Sequence, residues 1–514
     1  MPSYDEPYRP QVHFTPERNW MNDPNGPIYL DGEYHLFYQY NPEGIDWGAI
    51  SWAHAKSSDL LHWEKLPLAL GPHPELGFPF SGSVVRDSEN SSGLFWEAGG
   101  LVALFTNVDP RDFARQAQSV AFSRDRGITW ELYEGNPVIP NTGRGNFRDP
   151  KVLWHRPTES WILVVAHEDE VLFYRSANLL DWEYASAFGA EAGSHAGIWE
   201  CPDLFELPVE ESRTGDASGR QQAGDPQRRW VLIVGDGDQA EKDAGGTQYF
   251  VGHFDGWRFE NENPPEKTLW ADSGRDFYAA QSWSGLPEEQ GRRVWIAWMS
   301  QWIYGGKIPT DPWRGTMSLP RELGLRRTRA GVRLTQRPVR ELQTLRSERI
   351  EPASGTGEYR FRGGGAVEIC GLLTPDADPG PDAARSRRKI AGDAHPRAGV
   401  VRLTFEFDGG GVLELSVDFD EELLQMDRSR VDGAGFSPYF GGPSAIPLVE
   451  LPRQPGSIRV ILDRSTIEVF LEDGLVSATD LIFPPGFLRG LRVSTEGGAK
   501  AEELKVYALD SVWK

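Results

Sequence analysis

A short phrase recurs along the first half of the chain, and it restricts the fold more than any other feature. It reads Ser57-Ser-Asp-Leu-Leu-His-Trp63-Glu64, then Ser123-Arg-Asp-Arg-Gly-Ile-Thr-Trp130-Glu131, then Ser176-Ala-Asn-Leu-Leu-Asp-Trp182-Glu183, with a degenerate fourth copy at His253-Phe-Asp-Gly-Trp257. The tryptophans lie 67, 52 and 75 residues apart. Each copy reads as a turn ahead of an outer strand, and a turn that returns once per four-stranded sheet is how a β-propeller shows itself in sequence. Spread over about 340 residues, that spacing predicts five blades.

The surrounding pattern agrees. Tyr29 to Tyr40, Leu101 to Asn107, Trp161 to His167, Val171 to Tyr174, Trp230 to Val234 and Arg293 to Met299 are short apolar or alternating runs, bounded by Gly, Pro, Asn and Asp, and read as strands. No long stretch has helical period. Leu325 to Pro352 is charged and reads as a connector, with Val339 to Arg346 its best helical stretch. Alternation returns in Val400 to Phe407, Val412 to Phe419, Ser457 to Leu462, Thr466 to Leu471 and Leu491 to Ser494, which predicts a β-sandwich. The expected organisation is all-β: a five-bladed propeller over residues 1–340, a linker over 341–354 and a sandwich over 355–514. Val209 to Arg229 and Thr374 to His395 are too polar to bury much area and read as solvated insertions.

Composition serves mainly to exclude. A net charge of −23 would repel a phosphate backbone, so nucleic acid is not an expected partner. The apolar runs are strand-length and fall far short of the roughly 20 residues of a membrane span, so no membrane association is expected. Two cysteines, Cys201 and Cys370, rule out a disulfide framework. With no basic, apolar leader at the start, the chain reads as cytoplasmic; secretion with a signal already removed is the alternative. No His or Cys cluster has metal-ligand spacing, and neither a metal nor a cofactor is expected. Oligomeric state is not legible.

Three carboxylates stand in unusual settings. Asp23 lies in Trp20-Met-Asn-Asp-Pro-Asn-Gly26, Asp149 in Asn146-Phe-Arg-Asp-Pro150, and Glu200 in Ile198-Trp-Glu-Cys-Pro-Asp203. Singly, each is ordinary turn or strand-end chemistry. Their spacing changes that. From Asp23 to Ser81, then to Asp149, Glu200 and Asp276, the intervals are 58, 68, 51 and 76 residues, each about one blade. Equivalent strands of successive blades line one axial channel, so residues one blade apart can meet in one pocket. Three carboxylates there, with aromatics beside them, would supply a nucleophile, a proton donor and a group to hold a sugar ring.

These motifs resemble those of glycoside hydrolase family 32, the β-fructosidases that include invertases, exo-inulinases and levanases. WMNDPNG at 20–26, FSGS at 80–83, FRDP at 147–150 and WECPD at 199–203 occur intact and in family order, and Met426 to Ser429 and Leu462 to Phe470 resemble signatures of the family's sandwich. The resemblance implies a five-bladed propeller followed by a β-sandwich, and retention through a covalent fructosyl-enzyme. It assigns Asp23 as nucleophile, Glu200 as acid/base and Asp149 as stabiliser of the transition state, aided by Arg148. The two working carboxyl groups of such an enzyme lie roughly 5–5.5 Å apart. Glu200 would need a raised pKa, for which Trp199 and Cys201 could supply an apolar surrounding. The remaining matches to the fructose pocket are Trp20, Met21, Asn22, Gln39, Trp47, Phe80, Ser81, Tyr278 and Trp302.

The segments Asp276 to Gln281 and Met299 to Gly315 resemble exo-acting inulinases and levanases most. The first reading is therefore release of terminal β-D-fructosyl units from fructans, fructo-oligosaccharides and sucrose. An invertase-type enzyme restricted to short sugars is the alternative among enzymes. A catalytically silent fructan-binding protein is the alternative outside them, since both architectures also serve as binding platforms.

Overall fold

The computed structural model describes residues 4–96, 99–141, 143, 145–210, 227–237, 246–353, 356–376, 399–431, 435–448 and 456–513. They form two units, one of residues 13–342 and one of residues 4–12 together with 343–513. Residues 211–226 and 377–395, within the two predicted insertions, lie outside the described residues.

The first unit contains five antiparallel four-stranded blades in chain order. Their innermost strands are Asn19–Leu30, Phe78–Asp87, Phe147–His155, Ile198–Glu210 and Tyr278–Ser282. Successive innermost strands pack against one another, and the ring closes where Ile28 of the first bridges to Ser284 just past the fifth. Because both faces of these strands are covered, Asn19–Leu30 and Tyr278–Ser282 are buried almost without alternation. The expected strand from Tyr29 to Tyr40 is in fact a hairpin. Asp31 and Gly32 both take positive φ, and this Asp-Gly pair turns the chain between Asn19–Leu30 and Glu33–Asn41.

The repeated phrase is the turn into the outermost strand of each of the first four blades. Asp59 Oδ1 accepts the amides of Leu61 and His62 at 3.0 and 2.8 Å, while the Trp63 indole donates to Leu60 O at 3.1 Å. In the third blade Asn178 accepts from Leu180 and Asp181, and Trp182 donates to Leu179 O. In the second, Asp125 accepts from Thr129 and Trp130 donates to Gly127 O. Asp255 keeps the Asx half of the device, accepting from Trp257 and Arg258. The strands that follow, Glu64–Leu70, Glu131–Leu132, Glu183–Phe188 and Phe259–Asn261, are the outer edges of their blades.

The second unit is a sandwich of two six-stranded sheets. Val400–Phe407 alternates buried and half-buried positions along its length, and Leu403, Phe405, Leu415, Val460 and Val469 sit in one apolar cluster between the sheets. Within the segment read as a linker, Arg346–Ile350 forms an edge strand against Lys500–Leu509. The sandwich also claims residues near the start of the chain: Asp463 accepts the amides of Gln11 and Val12 at 2.8 Å. Among the described residues no helix is long and apolar enough to cross a membrane.

Candidate active site

Each of the five innermost strands breaks its hydrogen-bonding register beside the channel, and the first does so a second time between Asn25 and Ile28. The breaks beside the channel fall between Met21 and Pro24, Pro79 and Gly82, Arg148 and Lys151, Glu200 and Asp203, and Tyr278 and Gln281. A bulge inserts a residue, bends the strand and re-aims side chains. Asp149, Cys201 and Ala279 take positive φ here (67°, 47° and 53°), a conformation that non-glycine residues adopt only when their surroundings hold them there. Pro24, Pro150 and Pro202 occupy the same bulges, where a missing amide donor costs the ladder nothing. The carboxylates set beside prolines in the sequence are thus the carboxylates of the bulges.

The bulges converge on a cavity of about 340 Å³. Asp23, Asp149, Glu200, Arg148, Asn22, Asn146, Gln39, Gln116 and Ser81 supply its polar wall, and Trp47, Phe80, Phe113 and Trp302 its apolar one. Ser81 Oγ donates to Asp23 Oδ2 at 2.7 Å, while Asp23 Oδ1 has no hydrogen-bond partner. Arg148 donates twice to Glu200 Oε1, at 3.0 and 2.8 Å, and its third nitrogen is held by Asn146 Oδ1 at 2.6 Å. Glu200 Oε2 accepts from the Tyr278 hydroxyl at 2.5 Å. Tyr278 lies so close to Gly237 that a Cβ there would overlap its hydroxyl. Cys201 binds Asp149 Oδ2 through its amide at 3.0 Å and its thiol at 3.5 Å, and the thiol also reaches Asp23 Oδ2 at 3.6 Å.

Two buried acids, Asp23 and Asp149, and the half-buried Glu200 face one guanidinium, and the electrostatics follow from that count. Burial, and after it the charge of Glu200, pushes the Asp23 carboxyl up to about 6 against the stabilising bond from Ser81. Asp149 also rises, chiefly through burial; Arg148 opposes the shift, while Glu200 and Asp23 add to it. Burial works against the Arg148 cation, but Glu200 and Asp149 outweigh it and keep the side chain charged. Burial pushes the Cys201 thiol and the Tyr278 phenol well up, so both remain protonated donors.

Not every residue read from the motifs reaches the wall. Trp20 and Met21 are fully buried behind it, Trp20 donating to Asn22 Oδ1 and stacking on Trp302. Tyr278 is likewise buried and acts on Glu200 rather than on the cavity. Trp199 does not surround Glu200: its ring stacks on His195 and packs against Phe250 and Gly189, and the groups on the Glu200 carboxyl are polar. Asp276, at blade spacing, is buried and accepts from Tyr304 instead of joining the pocket. Conversely, Phe113 and Gln116 line the cavity from outside any motif, carried on the third strand of the second blade. Asn146 lay within a quoted motif, one residue before FRDP, where its hold on Arg148 was not legible.

A propeller whose bulged inner strands bring three carboxyl groups into a pocket walled by amides and indoles is the construction of a glycoside hydrolase. The chain belongs to glycosyl hydrolases family 32: residues 13–338 match the family's N-terminal domain and 399–508 its C-terminal domain. It is 45% identical to the levanase of Bacillus subtilis (strain 168) over 99% of this chain and 72% of that protein. It is 36% identical to an extracellular exo-inulinase of Aspergillus niger, over 99% of this chain and 96% of the relative. The crystal structure of exo-inulinase from Aspergillus awamori superimposes with a TM-score of 0.84 at 32% identity, covering 99% of this chain and all of that one. The enzyme therefore acts on a carbohydrate.

Proposed function

We propose that this hydrolase removes terminal non-reducing β-D-fructosyl units from levan or inulin, from fructo-oligosaccharides and from sucrose, with retention. The observation that carries the assignment of roles is the asymmetry of Asp23: Ser81 holds one oxygen, and the other has no partner. A carboxylate so held is a nucleophile aimed by its second oxygen. Asp23 attacks the anomeric carbon as Glu200 delivers a proton to the departing glycosidic oxygen; the bond to the leaving sugar breaks and a fructosyl ester on Asp23 forms. Water, deprotonated by Glu200, then cleaves the ester and returns both carboxyls to their starting states. Asp149, beside Arg148, takes hydrogen bonds from the fructosyl hydroxyls and stabilises the positive charge that develops on the ring.

The relatives named levanase and exo-inulinase support the fructan substrate, and the exo-inulinase relatives support removal of one terminal unit at a time. A time course on levan and inulin tests this. Fructose as the sole early product is expected; oligosaccharides in the first minutes would overturn exo action, and sucrose cleavage without release from either polymer would reduce the enzyme to an invertase. Two free cysteines support work in the cytoplasm, and activity recovered from the medium of intact cells would overturn that placement.

A further inference from the structure

Directly beneath the carboxylates lies a buried polar group that the mechanism above does not use. Gln281 Nε2 donates to two successive carbonyls, Cys201 O at 3.2 Å and Pro202 O at 3.1 Å. Its Oε1 accepts from Lys151 Nζ at 3.2 Å, which also donates to Ser282 O at 2.9 Å and pairs with Asp203 Oδ2 at 3.1 Å. Asp203 Oδ2 in turn accepts the Ser282 amide at 2.7 Å. Lys151, Asp203 and Gln281 are all buried, and they stand on the innermost strands of the third, fourth and fifth blades, next to the bulges of Asp149, Cys201 and Ala279.

The placement matters because Cys201 is a hinge between two functional groups. Its amide holds Asp149, its neighbour is Glu200, and its positive φ is a strained state that must be maintained from outside. Gln281 grips that peptide from the carbonyl side. A merely stabilising core would be served by apolar packing at the same place, since a buried lysine–carboxylate pair with a glutamine on it is costly to desolvate.

We infer that Gln281, steadied by the Lys151–Asp203 pair, is a positioning residue for the acid/base: it sets the angle of the Cys201 bulge and so aims the Glu200 carboxyl at the glycosidic oxygen. The inference rests on the reading of Glu200 as proton donor. If Gln281 acts through Glu200, losing it harms substrates whose leaving group must be protonated and spares one that departs without help. Gln281→Met keeps the side chain's length and removes both donors. The test compares this variant with wild type on sucrose and on 4-nitrophenyl β-D-fructofuranoside, whose phenolate leaves unaided. The expected loss in kcat/KM is about 30- to 100-fold on sucrose, within the range of general-acid contributions, and under about 3-fold on the aryl substrate. Equal losses on both substrates, or none on either, overturn the proposal. Should Gln281→Met fail to fold, Gln281→Glu is read by the same ratio, since it keeps the acceptor facing Lys151 and lacks the donors facing Cys201 and Pro202. Sucrose cleavage that survives Glu200→Ala in a chain with Gln281 intact would instead overturn the assignment of Glu200.

Discussion

The propeller and the sandwich each bury an acid among charges, and the two acids are treated in opposite ways. In the sandwich, Glu368 receives Arg346 at 2.6 Å and Arg459 at 2.6 Å. Burial alone would raise its carboxyl, but those two guanidinium groups outweigh it and hold it below the ordinary range. In the propeller, Asp23 meets Glu200 and Asp149 with one arginine among the three, and it is raised. The sandwich pairs its charge until it is quiet. The propeller leaves charge unbalanced where a substrate is to be handled.

The sharpest way to break this contrast is to remove a carboxylate from the propeller. Asp23→Ala or Glu200→Ala should lower kcat/KM on sucrose by about 10⁴-fold or more while the thermal transition is retained. Activity near the wild-type level in either variant would dissolve the functional half of the comparison. The converse substitution is Glu368→Gln. It leaves two partly buried guanidinium groups facing a neutral amide and should cost about 2–4 kcal/mol in denaturant melts, with kcat/KM of the folded enzyme unchanged. A loss of activity at full stability would mean that the sandwich acid belongs to the site.

Stability against pH separates the two acids by sign. Asp23 binds its proton more tightly folded than unfolded, so its burial costs stability above about pH 6 and costs nothing once pH falls below the unfolded value. Asp23→Asn should therefore stabilise by up to about 3 kcal/mol at pH 8 and by little at pH 4. Glu368 has the opposite shift, so its contribution is present above the unfolded carboxyl range and is lost as pH falls through its lowered folded value. The advantage of Glu368 over Gln should accordingly fade in acid, and parallel pH curves for both pairs would refute the contrast. The smallest effect belongs to the pocket edge. Phe113, 44% exposed against Trp47 and Phe80, should on replacement by Ala raise KM for inulin about 3- to 10-fold and leave kcat in place.

Much of this was legible in sequence because it is periodic or local. The repeated phrase, with its Asp or Asn a few residues ahead of a Trp, announced the last turn of the first four blades, since its hydrogen bonds run between neighbours in the chain. The carboxylates declared themselves through their prolines and their spacing. Where the reading and the structure part, the contact is long-range. Phe113 and Gln116 reach the cavity from a strand with no motif, and Trp199 turns from Glu200 toward Phe250. Gln11 and Val12 cross 452 and 451 positions to find Asp463.

The order of residues by itself determined the all-β architecture, the five-fold repeat, the family and the set of carboxylates, because hydrophobic period, turn chemistry and motif spacing are properties of nearby residues. Only the tertiary structure decided which side chains face the cavity and which stand behind it. The direction of a side chain at a bulge depends on a φ angle held by partners on other blades, and Asp149, Cys201 and Ala279 take theirs within the packed ring of five inner strands.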